Sequence, residues 1–200
     1  MYLRFLAGLA VSTLLVLSSA PQSQANPSWD PEGRFTGGRF SGGRSGNWNF
    51  FGGSPVPRQT VSFPGKHAPG TIIINTGERR LYYVLGEGSA LRYGIGVGRA
   101  GFTWGGVKQV SAKREWPDWT PPPQMLRRRP DLPRYMPGGP ENPLGARAMY
   151  LGSTLYRIHG SNEPETIGEA VSSGCFRMTN DDVIDLYNRV RVGTKVIIQR

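Results

Sequence analysis

Proline sets the first limit on what this chain can fold into. Nine of the 27 residues from 117 to 143 are Pro. A residue without a backbone N–H fits neither a helix interior nor a central strand. The stretch therefore breaks every hydrophobic period and reads as one long irregular loop. A loop of that length in a compact domain is functional or mobile. Residues 117–143 read as a lid or wall, with a mobile insertion as the alternative. A second breaker-rich stretch spans 26–66, where Arg-Phe and Gly-Gly recur through Gly33-Arg34-Phe35, Gly37-Gly38-Arg39-Phe40 and Gly42-Gly43-Arg44. Few aliphatic side chains occur there, so nothing offsets the entropy of ordering it. It reads as a Gly/Arg/Phe-rich disordered linker of net charge +3, from Arg34, Arg39, Arg44, Arg58 and Lys66 against Asp30 and Glu32. The folded domain is thereby assigned to residues 67–200.

Within that domain the periods are mostly those of strands. Thr71–Asn75 is β-branched, and after a Thr76-Gly77-Glu78 turn Arg80–Leu85 returns, which predicts a hairpin. Leu91, Tyr93, Ile95 and Val97 alternate onto one face. Trp104–Lys113, Ala146–Leu151, Leu155–Ile158 and Lys195–Gln199 read as further strands. One helix is clear, Thr179–Val190. Thr179 is its N-cap, Asp181 and Asp182 suit its positive end, and Val183, Ile184, Leu186, Tyr187 and Val190 form its apolar face. The fold class is mainly β with one or two helices. Neither a dinucleotide fingerprint nor a phosphate loop occurs.

Residues 1–25 read as a secretory signal: Arg4, an apolar run from Leu6 to Leu17, and Ser23-Gln24-Ala25 as a small-x-small cleavage site before Asn26. The run is shorter than the roughly 20 residues of a membrane span. Membrane contact is expected only if this segment stays uncleaved as an anchor. Export places the chain in the periplasm and makes nucleic acid a poor partner, despite a net charge of +10. Anionic lipid and carboxylate-rich wall polymer remain as partners for that charge. A single cysteine, Cys175, excludes an internal disulfide framework. An exported free thiol is either intermolecularly paired or reactive.

The chemistry concentrates between Ile158 and Met178. Cys175 has His159 sixteen residues before it and Arg177 two residues after it. A thiol is mostly protonated at neutral pH, and a neighbouring imidazole can take its proton and form an ion pair. Gly160 leaves space beside the His159 ring. Gly174 permits an unusual backbone angle, so that the Gly174 and Cys175 amides can face a developing oxyanion. In an extended strand Arg177 shares a face with Cys175, where it can stabilise the thiolate or fork onto a substrate carboxylate. Taken singly, each residue also has a bland reading: a structural histidine, a small buried thiol, a surface charge. His67 reads as incidental. Two histidines and one cysteine so spaced do not suit a metal site, and no cofactor is expected.

As a block, His159-Gly160-Ser161-Asn162, Pro164, Ile167-Gly168, Ser172, Gly174-Cys175 and Arg177-Met178 form a long ungapped pattern. It resembles the signature of the YkuD-type (ErfK/YbiS/YcfS/YnhG) L,D-transpeptidase catalytic domain, and the likeness extends over about residues 70–199. The resemblance implies a β-sandwich or barrel-like domain. It implies Cys175 as acyl-accepting nucleophile, His159 as general base and Arg177 as the arginine of the Cys-x-Arg subtype. Ser172, Ser173 and Gly174 match the segment whose backbone helps build the oxyanion hole. Many relatives carry a second histidine where this chain has Ser173. The implied substrates are peptidoglycan stem peptides: a tetrapeptide donor that loses D-Ala to form a thioester, and an amine acceptor. Acylation by carbapenems is a further implication. Alternatives within the enzyme class are L,D-carboxypeptidation and a sortase-like transpeptidase, whose His and Arg lie further from Cys. Outside it stands a non-catalytic peptidoglycan-binding module.

Overall fold

The computed structural model describes residues 54–200, which fall within one compact unit spanning Ser41–Arg200. The expected signal segment and residues 26–53 of the expected linker lie outside the described residues. The strands are β1 Gln59–Ser62, β2 Ile72–Asn75, β3 Arg80–Gly86, β4 Ser89–Gly94, β5 Val97–Gly98, β6 Gly106–Glu115, β7 Arg147–Leu151, β8 Arg157–His159, β9 Ala170–Ser172, β10 Phe176–Arg177 and β11 Lys195–Gln199. The helices are α1 Pro123–Arg128 and α2 Asn180–Arg189.

The β-branched run becomes β2, with Ile72, Ile73 and Ile74 all buried. A strand buried on both faces must lie inside a sheet, and β2 does, antiparallel to β3 and parallel to β11. Nine strands pair in the order β1-β4-β3-β2-β11-β6-β7-β8-β10, and β5 pairs separately with β9. Strand β6 is the joint between the halves. Gly106–Gln109 pair with β11, and Val110–Glu115 pair with β7 across a register shift between Val110 and Ala112. Such a bulge bends the strand and increases its twist. Both halves bury one core: Ile72, Ile74, Leu81 and Tyr93 from one, Val110, Met149, Leu151, Ile158 and Phe176 from the other.

Helix α2 closes that core with Val183, Leu186 and Val190. Thr179 is its N-cap as expected, its hydroxyl accepting from the Asp182 N–H. The far end is satisfied from β6: the Lys113 ammonium donates to the carbonyls of Tyr187 and Val190, both at 2.6 Å.

Two expectations change. Residues 54–66 do not behave as linker. Strand β1 pairs antiparallel with β4, and Arg58 bridges Asp185 at 3.1 Å and Asp182 at 3.7 Å on α2. Val56 covers Gly94 so closely that a Cβ there would lie 2.5 Å from it. Tertiary partners supply the order that the local composition lacks. The Pro-rich segment is also ordered. Pro123 opens α1, because the first turn of a helix needs no N–H from it. Trp119 and Met136 exchange backbone hydrogen bonds of 2.8 Å that close the base of the excursion. Below it the buried Asn142 side chain donates to Pro137 O and accepts from the Leu144 N–H, both at 2.9 Å.

A chain beginning at His67 loses β1 and the Arg58 bridges, and is expected to melt about 5 °C or more below one beginning at Ser54 in a thermal scan.

Candidate active site

The site begins with a register. Strands β8 and β10 are parallel, with Ile158 opposite Phe176 and His159 opposite Arg177. Ile158 and Phe176 point into the core, both at most 1% exposed. Strand alternation then sends Arg157, His159 and Arg177 to the other face. Cys175, one residue before β10, joins them on the Arg157 side. Two sequence-distant pairs are thus assembled by one short ladder.

His159 is buried, at 4% exposure. Its Nδ1–H donates to the Gly160 carbonyl over 2.6 Å, which fixes the tautomer and leaves Nε2 as the basic nitrogen. Gly160 earns its place by closeness rather than by leaving free space beside the ring. A Cβ there would collide with Asn180 Oδ1, which also accepts from the Ala146 N–H at 2.8 Å.

Cys175 sits after a turn braced by Ser172. The buried Ser172 hydroxyl accepts from the Gly174 N–H at 3.1 Å and donates to Cys175 O at 2.6 Å. The expected pair of oxyanion donors is reduced accordingly, because the Gly174 amide is engaged within its own turn. Among the described residues no hydrogen bond engages the Cys175 N–H. Gly174 has φ +106°, and a Cβ on it would lie 2.5 Å from Tyr156 Cε1. Its carbonyl accepts from Trp104 Nε1–H at 2.8 Å, and Trp104 stacks on Tyr156 with centroids 4.5 Å apart. Ser173 is half-buried beside this turn.

Arg177 does not present a free fork. Its Nη1 pairs with Glu163 at 2.8 Å, largely out of solvent. The Glu163 N–H in turn donates to Ser161 Oγ at 3.0 Å, so Glu163 ties two motif residues, Ser161 and Arg177, together. Arg177 is thus held by Glu163, and its charge reaches His159. Burial, then the Arg177 charge, push the His159 imidazole down to about 3, against the pull of its Gly160 hydrogen bond. Burial likewise pushes the Cys175 thiol up. The Arg157 charge, an Arg157 N–H hydrogen bond and the Arg177 charge act against that rise. Burial thus works against the ion pair expected from the residue types, and the Cys175 thiol donates to the Leu155 carbonyl at 3.8 Å.

Arg157 was not singled out by the sequence reading. It is two residues before His159, so strand alternation carried the signal. Its guanidinium lies over Tyr150, 5.0 Å from the ring centroid, and its charge pulls the Cys175 thiol down. Glu163, Trp104, Tyr156 and Asn180 were also missed, because each meets the site only through tertiary packing.

This geometry is accompanied by clear relatives. Residues 69–198 match the family model described as YkuD, L,D-transpeptidase catalytic domain. The chain belongs to the YkuD family. The Escherichia coli protein named "Probable L,D-transpeptidase ErfK/SrfK" is 43% identical over 152 residues, covering 72% of this chain and 47% of its own length. This chain thus spans about half the length of the curated relatives it matches. The catalytic domain of the Enterococcus faecium L,D-transpeptidase, solved acylated by ertapenem, shares the fold of the YkuD domain: TM-score 0.51 at 21% identity, over 68% of this chain and all of that one. A Brucella melitensis structure titled as a carnitine operon oxidoreductase is 48% identical over 72% of this chain and 93% of its own, with TM-score 0.49. At that structural similarity its title decides nothing for this YkuD domain.

Two outcomes follow from the geometry. With a raised thiol pKa, the thiolate fraction still grows above pH 9, so iodoacetamide alkylation of Cys175 keeps accelerating there; an ion pair would give a plateau near neutrality. Gly174→Ala forces a side chain into positive φ against Tyr156. It is expected to lower the unfolding free energy by about 2 kcal/mol in denaturant titration.

Proposed function

We propose that this chain is an exported L,D-transpeptidase that acts on peptidoglycan stem peptides through a Cys175 thioester. Membership of the YkuD family supports the reaction class. The observation that carries the mechanism is the His159 tautomer: with Nδ1–H held by Gly160 O, Nε2 is free to take the thiol proton. The periplasmic location rests on the reading of residues 1–25 as a secretory signal.

Substrate binding starts the chemistry. A stem carbonyl at Cys175 draws the thiol proton onto His159 Nε2 as the sulfur attacks. The S–C bond forms, and the oxyanion is met by the Cys175 N–H. Burial and Arg177 make His159 a weak base at rest. The transfer is therefore coupled to attack rather than completed before it, and the resulting imidazolium readily returns its proton. The C–N bond to the terminal D-Ala breaks, and His159 protonates the departing amine. An acceptor amine then attacks the thioester carbonyl and gives up a proton to His159; the S–C bond breaks, and His159 returns that proton to the leaving Cys175 sulfur, while water in place of the amine gives carboxypeptidation. Ser172 and Gly174 hold the nucleophile turn, Gly160 orients the base, and Glu163 holds Arg177. Carbapenems are expected to acylate Cys175, as the fold relative solved with ertapenem is acylated.

Brief incubation with a disaccharide tetrapeptide is expected to add the stem minus D-Ala to the intact mass, with D-Ala released. Cys175→Ala should lose both while keeping its melting temperature. D-Ala release by Cys175→Ala would overturn the nucleophile assignment, and neither mass shift nor D-Ala release from the unaltered protein would overturn the peptidoglycan reading.

A further inference from the structure

The wall beside Cys175 carries two cations that nothing in the mechanism uses. The turn Arg99–Phe102 is closed by the Phe102 N–H donating to Arg99 O at 2.9 Å. It is fastened to the nucleophile turn, because the Arg99 N–H donates to Ser172 O at 3.0 Å. Gly98 makes the approach possible: a Cβ there would lie 2.5 Å from Phe102 O and 3.2 Å from Gly174 Cα. The half-buried Phe102 ring is met by two guanidiniums, Arg99 at 4.9 Å and Arg128 at 5.3 Å from its centroid. Arg128 belongs to α1, so the Pro-rich excursion delivers its charge to the Cys175 side of the domain.

Among the described residues neither of these two charges has a counter-ion. The ion pairs among the described residues involve Arg58, Arg129, Arg147, Arg177 and Arg189. Within the Arg127–Arg129 run, Arg129 is held by Asp131 at 2.6 Å, whereas Arg128 is turned onto Phe102. Two like charges converging on one ring repel each other, and a single anion reaching both removes that repulsion. Guanidiniums on an aromatic platform suit a planar carboxylate, which can accept paired N–H donors.

We propose that Arg99 and Arg128, seated on Phe102, form a carboxylate-binding subsite that holds a carboxylate of the peptide stem while its reacting carbonyl lies at Cys175. This deepens the peptidoglycan reading and rests on it for the identity of the stem. The subsite explains why a Pro-rich segment is ordered against the domain. It also assigns carboxylate recognition to a wall residue pair, whereas Arg177 is committed to Glu163.

The test uses the full chain and its single cysteine. Rates of Cys175 alkylation by anionic iodoacetate and neutral iodoacetamide are compared, with mass as readout. The iodoacetate-to-iodoacetamide ratio is expected to fall about tenfold in Arg99→Gln and in Arg128→Gln. Arg128→Lys should recover part of it. Lys195→Gln, which removes a charge on an exposed part of β11, should leave it unchanged. A ratio unmoved by both arginine substitutions, or lowered equally by Lys195→Gln, overturns the subsite. In a second arm, Cys175→Ala protein is titrated with the tetrapeptide and with its fully amidated form. Each arginine substitution should weaken the free-acid stem about tenfold and leave the amidated stem unaffected; equal effects on both overturn the stem assignment. D-Ala release by the unaltered protein is scored separately. Normal release with an unmoved ratio sinks the subsite alone, while an arginine-dependent ratio without D-Ala release sinks the peptidoglycan reading and its stem.

Discussion

The parallel pairing of β8 with β10 is the constraint on which the site depends. Two strands of three and two residues carry it. Ile158 and Phe176 anchor the ladder in the core, and that anchoring fixes which face His159, Arg157 and Cys175 occupy. A one-residue slip would send them into the core and bring the apolar side chains out. The slip is opposed on both sides: β8 is also paired with β7, and the Met178 N–H donates to His159 O at 2.8 Å. Precision at the reacting atoms therefore comes from apolar burial behind them.

Electrostatics at the site follow from that burial. The imidazole and the Arg177–Glu163 pair are withdrawn from bulk water, while Cys175 is half-buried. Burial disfavours the charged form of both His159 and Cys175. A buried ion pair is weak evidence for stability in itself. Here its position matters more, since it ties the Ser161–Glu163 segment to β10 and sets the potential at His159.

Much of this was legible in the chain. The β-branched run 72–74 and the capped amphipathic α2 are local signals, and the structure forms them where they occur. The expected alternation of Leu91, Tyr93, Ile95 and Val97 along one strand is broken instead: β4 ends at Gly94, Val97 belongs to β5 and pairs with β9, and Leu91 is only half-buried. The His159–Cys175–Arg177 spacing is also local, because a short crossover joins two adjacent strands. What escaped the sequence is what depends on distant partners. Strand β1 lies in a segment whose own composition disfavours order, and it exists because β4 and α2 receive it. Helix α1 hides behind three consecutive prolines, the last of which is tolerated at its first turn. The engagement of the Gly174 amide by Ser172, and of Arg177 by Glu163, depends on side-chain geometry that residue types do not disclose. Arg157 lay within reach, since alternation from His159 already placed it on the same face.

The position of β11 has a consequence for how the molecule comes into being. Strand β11 lies between β2 and β6, parallel to one and antiparallel to the other. The strands on either side of it, although made much earlier in synthesis, have no continuous sheet until Lys195–Gln199 arrives. Such long-range closure slows folding. A nascent chain lacking this strand would remain open, with β2 and β6 each presenting a bare edge, so the last few residues made are the ones that turn two separate ribbons into one sheet.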